Sequence, residues 1–297
     1  MSDLSKFDRP VSESFFCENI RAEDSLAQEQ ISDFLTKGFV TGIRVLTGDQ
    51  VNILRQELHA LMLAKMADDL RFYEFHLNES TDPGRVLFHA LGAWRVSPAF
   101  HDVIFLPSVV KAAEQLLDGP VRFWHDQIFV KPPRDGAVVE WHQDYSYWTR
   151  TKPMAHLTCW IGLDDSTEEN GCVHYVPGSH RWPLLPRYEL SGNMESVFQF
   201  LNLEQSAEFL PVPATLLAGE ASFHHPLTLH GSFENSSDRP RRAVVLNFIR
   251  DGVVSDSDEP LLFGIPPVPR GEKLCGRFFP LLDSSAIYQS PAFSYPF

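Results

Sequence analysis

The chain has 297 residues, 43% hydrophobic and 22% charged, enough to bury the core of one large domain or two small ones. Its formal charge of −14 argues against a nucleic-acid or anionic-membrane surface, which needs basic patches, yet leaves room for a small anion gripped by one or two arginines. The four cysteines, Cys17, Cys159, Cys172 and Cys275, are scattered and form no CxxC pair, so neither a disulfide framework nor a zinc cluster is expected. A polar start and the lack of any apolar run near about 18 residues predict a cytoplasmic protein without a leader or a membrane span. The first third reads as mainly helical. Leu26 to Thr36 carries Ile31, Phe34 and Leu35 at helical spacing, with Gly38 as its stop. Thr47-Gly-Asp-Gln50 reads as a capping box opening a helix through Met66, with Leu54, Leu58, Leu61 and Met62 on one side. Ser97-Pro98 and Pro107-Ser108 open two more, the second ending at Asp118-Gly119.

The character changes at Pro120. Strands are predicted over 121–130, 156–163, 172–176, 222–229 and 243–249, separated by turn clusters such as Pro132-Pro-Arg-Asp-Gly136. This order predicts a mainly β protein with flanking α, a sandwich or jelly-roll core over 120–250 rather than a parallel α/β sheet, preceded by a mainly helical region over residues 1–119. An irregular insertion at 181–213, holding Trp182, Tyr188 and Phe198, has the length of a lid. The tail 251–297 carries Phe278, Phe279, Tyr288, Phe293, Tyr295 and Phe297, so it is expected to pack on the core or on a partner chain, which leaves a homo-oligomer open. With no repeat and no low-complexity linker, residues 1–297 read as one domain.

The chemistry concentrates in His142 and Asp144 of Trp141-His-Gln-Asp144 and in His230 of Leu229-His-Gly-Ser232. Two histidines and a carboxylate can hold one face of an octahedral ferrous ion and leave three positions open. The i, i+2 spacing predicts that His142 and Asp144 leave one side of a strand, with the third ligand on a strand brought alongside. Among twelve histidines an HxD arises easily, and alone it reads as an ordinary strand histidine beside a solvated aspartate. His224 shares the strand parity of His230, so spacing leaves both open as ligands. Arg241, eleven positions past His230, supplies a guanidinium that can grip a carboxylate bidentately.

The stretches Lys131-Pro-Pro133, Trp141-His-Gln-Asp144, Cys159-Trp-Ile-Gly-Leu-Asp-Asp165, Glu169-Asn-Gly171, Val176-Pro-Gly-Ser-His180, and Phe223-His-His-Pro226 through His230-Gly-Ser232 to Arg241 share one further property. Their order and spacing closely resemble those of the phytanoyl-CoA dioxygenase family of iron(II)/2-oxoglutarate-dependent oxygenases, from about Phe123 to Ile249. The resemblance implies a double-stranded β-helix (jelly roll, cupin-like) core, with Fe(II) on His142, Asp144 and His230 and Arg241 on the distal carboxylate of the co-substrate 2-oxoglutarate. It also places Gln127, Trp160, Ser232 and Gln143 along that co-substrate, although strand alternation alone points Gln143 away. His224 and His225 become structural, and His180 a turn or cap residue. The implied reaction consumes O2, releases succinate and CO2, and hydroxylates an unactivated C–H bond of a small-molecule metabolite. Asp144 speaks against halogenation, while desaturation, cyclisation and epimerisation share the same oxidant. Tyr145, Tyr147, Trp148 and Arg150 are candidates for the substrate pocket, and Arg134 and Arg150 for gripping an acidic substrate; packing and solvated surface charge are the alternatives. A non-catalytic binding protein and a zinc hydrolase in the same site are the rival readings.

Overall fold

A computed structural model describes residues 3–12, 15, 25–64, 68–82, 84–188 and 192–283. In chain order the strands are β1 (Phe39–Arg44), β2 (Glu74–His76), β3 (Phe88–Leu91), β4 (Val121–Lys131), β5 (Val139–His142), β6 (Thr151–Lys152) and β7 (His156–Gly162). They continue with β8 (Val173–Tyr175), β9 (Val212–Pro213), β10 (Glu220–His224), β11 (His230–Ser232), β12 (Arg241–Arg250), β13 (Val254–Ser255) and β14 (Leu281–Leu282). The α-helices are α1 (Gln28–Lys37), α2 (Gly48–Leu63), α3 (Pro98–Asp102), α4 (Pro107–Leu117), α5 (Tyr145–Trp148) and α6 (Leu203–Glu208).

Two antiparallel sheets face each other. The larger runs β1-β10-β7-β12-β4-β3-β2, with β14 also on β4, and the smaller runs β5-β11-β8-β9. Phe39, Trp160, Val245 and Ala243 of the larger sheet meet Val173 and Tyr175 of the smaller in one apolar cluster between them. This is the jelly roll expected from the sequence.

The long central strands are buried on both faces and therefore read as continuous apolar runs rather than alternating ones. Along β12, Ala243 and Val245 face the lumen while Val244 and Leu246 pack outward with Leu54, Leu58, Val109 and Val110 of the helices. The helices form where their local signals say. Thr47 Oγ1 accepts from Gln50 N (3.2 Å) and Gln50 Oε1 from Thr47 N (2.9 Å), closing the box that starts α2. Gly38 ends α1 at φ +87°, where a Cβ would stand 2.5 Å from His180 Nδ1, so both backbone and space demand glycine.

Two expectations are corrected and one is extended. Beside α1 to α4, the N-terminal third also carries β1, β2 and β3, which extend the larger sheet at both its edges. Gly42 and a register shift between Val40 and Ile43 break the alternation of β1 and hide it from the sequence. The strand predicted over 222–229 stops early: β10 ends at His224, Pro226 interrupts the ladder, and a turn closed by Thr228 N–H donating to His225 O carries the chain to β11, which starts in the other sheet at His230. Finally, His142 closes β5, whereas Asp144 already has helical dihedrals (φ −55°, ψ −39°) at the start of α5, so the pair does not lie on one strand. Met66 falls outside the described residues, as do Cys17, Tyr288, Phe293, Tyr295 and Phe297. The described residues of the tail do pack: Ile265, Leu274, Phe279 and Leu282 are buried in the main cluster.

Candidate functional site

At one end of the lumen β5 and β11 lie side by side, with His142 and His230 as direct cross-strand partners. Gly231 permits this approach, since a Cβ there would sit 3.0 Å from the Val139 carbonyl oxygen. The turn after His142 swings Asp144 in between. One ligand atom each from His142, Asp144 and His230 then lies within 4.8 Å of the others. Asp144 Oδ1 is 3.5 Å from His142 Nε2 and 3.6 Å from His230 Nε2.

Every outward-pointing polar atom of this triad is already occupied. His142 Nδ1–H donates to Glu140 O (2.7 Å) and His230 Nδ1–H to Thr228 O (2.9 Å), which fixes the tautomers and frees both Nε2 lone pairs. Asp144 Oδ2 accepts from Thr158 Oγ1 (2.6 Å) and from His224 Nε2–H (3.0 Å), leaving Oδ1 for a metal. The His224 tautomer in turn requires the Tyr175 hydroxyl to donate to Nδ1 (3.0 Å) and to accept from Ser222 Oγ (2.8 Å). Burial alone would raise the Asp144 carboxyl, but the imidazoles of His230, His142 and His224 outweigh it and hold the group well below the usual carboxylate range. Burial, and then His142 and His224, push the His230 imidazole well down, so it stays neutral. Burial opposes and the Asp144 carboxylate overcomes it at His142, whose affinity for a proton is raised. A cation between these groups is therefore welcome, and the donor set fits a ferrous ion.

Farther along the lumen a second site forms where Lys131 of β4 and Arg241 of β12 are register partners. Both are buried, and neither has a carboxylate partner among the described residues. Arg241 Nη2 reaches only Ser232 Oγ (3.4 Å), Arg241 Nε has no hydrogen-bond partner, and the guanidinium lies 5.3 Å from the centre of the Trp160 ring. Burial pulls Arg241 down to about 10 and, with Arg241 beside it, depresses Lys131 well below the ordinary lysine range. An orphaned buried donor on a guanidinium is the feature that a carboxylate of 2-oxoglutarate would satisfy.

The remaining sequence candidates separate. Ser232 and Trp160 border Arg241, and Gln127 shares a rung of the larger sheet with Val245 and Trp160, its amide contacting His89 Nε2 (3.1 Å). Gln143 lines the space beside His142, but its amide is committed: Oε1 accepts from Leu185 N (2.7 Å) and Nε2 donates to Leu227 O (3.0 Å), which anchors the insertion. Tyr147 lines the space beside His142, together with Ser146, Leu185, Arg187 and Tyr188. The other three substrate candidates turn away. Tyr145 donates to Thr151 O (2.8 Å), Trp148 is buried and stacks on His156 at 5.2 Å, and Arg150 donates to Pro260 O (2.7 Å) and Leu261 O (3.0 Å). Arg150 thus fastens the chain that follows β13 rather than facing the lumen. Arg134 is exposed at a left-handed turn (φ +64°).

Described residues of the insertion pack beside this site. Trp182, Leu185 and Val197 pack on Trp141 and Leu229, Arg187 lies 4.7 Å over the Tyr147 ring, and the Tyr188 hydroxyl donates to Trp141 O. Sequence reasoning missed Thr158, Tyr175 and Lys131 as site residues and left His224 without a partner, because their contacts are cross-strand. Only the shared inward parity of 158 with 160, and of 131 with 127, hinted at them.

A family model described as phytanoyl-CoA dioxygenase (PhyH) matches residues 34–243. A probable alpha-ketoglutarate-dependent hypophosphite dioxygenase of Stutzerimonas stutzeri is 25% identical over 226 residues, 74% of this chain and 77% of its own. L-proline trans-4-hydroxylase of Streptomyces griseoviridis is 30% identical over 196 residues, 57% of this chain and 72% of its own. The crystal structure of a non-heme alpha ketoglutarate dependent carbocyclase, SnoK, from nogalamycin biosynthesis has the same fold, with TM-score 0.71 at 24% identity over 92% of this chain and 99% of that one. The match spans most of the jelly roll together with α2 to α4, and this chain belongs to the phytanoyl-CoA dioxygenase family of 2-oxoglutarate-dependent oxygenases.

Proposed function

We propose that the protein is an iron(II)- and 2-oxoglutarate-dependent oxygenase that hydroxylates an unactivated C–H bond of a small-molecule metabolite. The observation that carries this reading is one lumen holding two unmet demands. At one end a His-Asp-His triad keeps only its inner lone pairs free, and at the other a buried guanidinium lacks an anion. A divalent metal ion would satisfy the triad, and a carboxylate of the co-substrate would satisfy the guanidinium. The relative that hydroxylates L-proline supports a small substrate and a hydroxylation outcome.

His142 Nε2, Asp144 Oδ1 and His230 Nε2 hold the iron in this reading, and Arg241 takes the distal carboxylate of 2-oxoglutarate, beside Ser232 and Trp160. Bound iron and 2-oxoglutarate together supply the activation of O2, with succinate and CO2 released. The chain's own task is geometric. Thr158 and His224 keep Asp144 from rotating, so that one oxygen always faces the metal. Tyr147 and the Leu185–Tyr188 segment border the space beside His142 and place the substrate there. Gln143 and Glu140 pin the insertion, Gln143 on Leu185 N and Glu140 on Gly192 N and Asn193 N, which shields the reacting groups from water.

Anaerobic addition of Fe(II) and 2-oxoglutarate together should give a weak visible absorption band that neither gives alone. Its absence, with co-substrate binding unchanged in Arg241→Ala, would overturn the assignment. A screen of small metabolites should then couple succinate formation to a mass gain of one oxygen atom. Products lighter by two hydrogens instead would replace hydroxylation by desaturation or ring closure.

A further inference from the structure

Lys131 is buried, carries a cation into the lumen, and has no role in the reaction as described so far. Its ammonium donates to Ser232 Oγ, Ser232 O and Phe233 O, and Arg241 Nη2 points at the same Ser232 Oγ from 3.4 Å. A hydroxyl oxygen has two lone pairs and one proton. With two cationic donors directed at the oxygen, the Ser232 proton must be donated outward. Among the described residues no acceptor takes it.

We infer that Lys131 is a positioning residue for the co-substrate: it turns the Ser232 hydroxyl into an obligatory donor and, with Arg241, makes a site selective for a second carboxylate. The inference rests on the 2-oxoglutarate reading above. An unmet hydroxyl proton and an unmet guanidinium N–H converge on one place, and a carboxylate has two oxygens to accept both. A carbonyl or hydroxyl at the same place leaves one donor unsatisfied, so a 2-oxo acid without the distal carboxylate binds without help from Lys131. The alternative is that Lys131 only caps the two carbonyls of residues 232 and 233 and matters for folding alone.

Anaerobic calorimetry on the Fe(II)-loaded protein separates the two. Two probes are used: 2-oxoglutarate, and 2-oxovalerate, which has the same chain length but lacks the distal carboxylate. Lys131→Met should weaken 2-oxoglutarate by about tenfold or more while changing 2-oxovalerate by less than about twofold. Lys131→Gln, which retains a neutral donor, should fall between wild type and Lys131→Met. In a Ser232→Ala background, Lys131→Met should cost clearly less than it does alone, because the two act through one hydroxyl. Equal affinity in wild type and Lys131→Met, or equal losses for both probes, overturns the inference and leaves the oxygenase reading intact. No 2-oxoglutarate binding by the wild type overturns both. Thermal melts of the metal-free variants show that the loss belongs to the ligand and not to the fold.

Discussion

Arg241 and Arg242 are neighbours on β12 and meet opposite conditions. Arg242 points outward, where the Asp164 carboxylate takes its Nε (2.8 Å) and Nη2 (2.7 Å). Arg241 points into the lumen, buried, with a long contact to Ser232 and an unpartnered Nε. Folding completes the outer charge and leaves the inner one incomplete. A buried cation without a counterion costs stability, and the proposed function gives this one a partner in a carboxylate of the co-substrate. The same contrast separates the two faces of the larger sheet: Val244, Leu246, Ile161 and Cys159 fill the face against the helices, while Arg241, Trp160, Thr158 and Gln127 share the inward parity.

The sharpest way to break this comparison is at the metal end. Asp144→Ala should lower iron affinity by more than about a hundredfold, beyond the loss expected from an outer contact, and reduce succinate formation to background. A variant that still bound iron stoichiometrically would remove the triad from the site. Next comes the pair of arginines. Arg241→Met should weaken 2-oxoglutarate by about a hundredfold, yet leave the melting temperature of the metal-free protein unchanged or higher, since an unpaired buried charge is lost. Arg242→Met should leave co-substrate affinity alone and cost about 1 kcal/mol of stability, read by denaturant unfolding. Equal effects of the two on 2-oxoglutarate would erase the distinction between inner and outer faces.

Smaller changes sharpen it. Thr158→Val removes one of the two donors on Asp144 Oδ2 and should reduce iron affinity by about tenfold, in the range of such outer contacts. The mildest effect is a pH dependence. Burial and the facing Arg241 depress the proton affinity of Lys131, whereas Cys172 and Glu234 oppose this weakly. A bound dicarboxylate favours the charged form, so ligand binding takes up a proton once the pH exceeds the free-state value. Affinity for 2-oxoglutarate should therefore decline as pH rises through a range below that of an ordinary lysine, and Lys131→Met should flatten the slope. A profile identical in both proteins would show that Lys131 does not titrate against the ligand.

Much of the site is legible in the sequence because metal chemistry needs rare residue types at tight spacing. His142, Asp144, His230 and Arg241 stand in compact motifs, and the structure brings ligand atoms of the first three within 4.8 Å of each other. Strand alternation does not explain their spacing, since Asp144 reaches His142 and His230 from a helical turn. The bond from His224 to Asp144 carries no sequence signal, because the two residues lie 80 positions apart. Trp148 and Arg150 follow His142 and Asp144 in sequence and look like pocket residues. α5 turns them instead toward His156 and toward the carbonyls of Pro260 and Leu261. Adjacency in the chain says little about direction once a strand ends and a helix begins.

The sequence by itself determined the jelly-roll class, the helix starts at Thr47, Ser97 and Pro107, and the presence of a donor set suited to iron. Capping, turn chemistry and donor sets are local and carried by single residues. Only the tertiary structure decided that Lys131 stands opposite Arg241, that Thr158 and His224 share one oxygen of Asp144, and that Gln143 bonds the insertion at Leu185. These are consequences of register between strands many residues apart, where a shift by one position exchanges lumen for exterior. Local pattern does not encode that choice; the burial of both faces of β7 and β12 does.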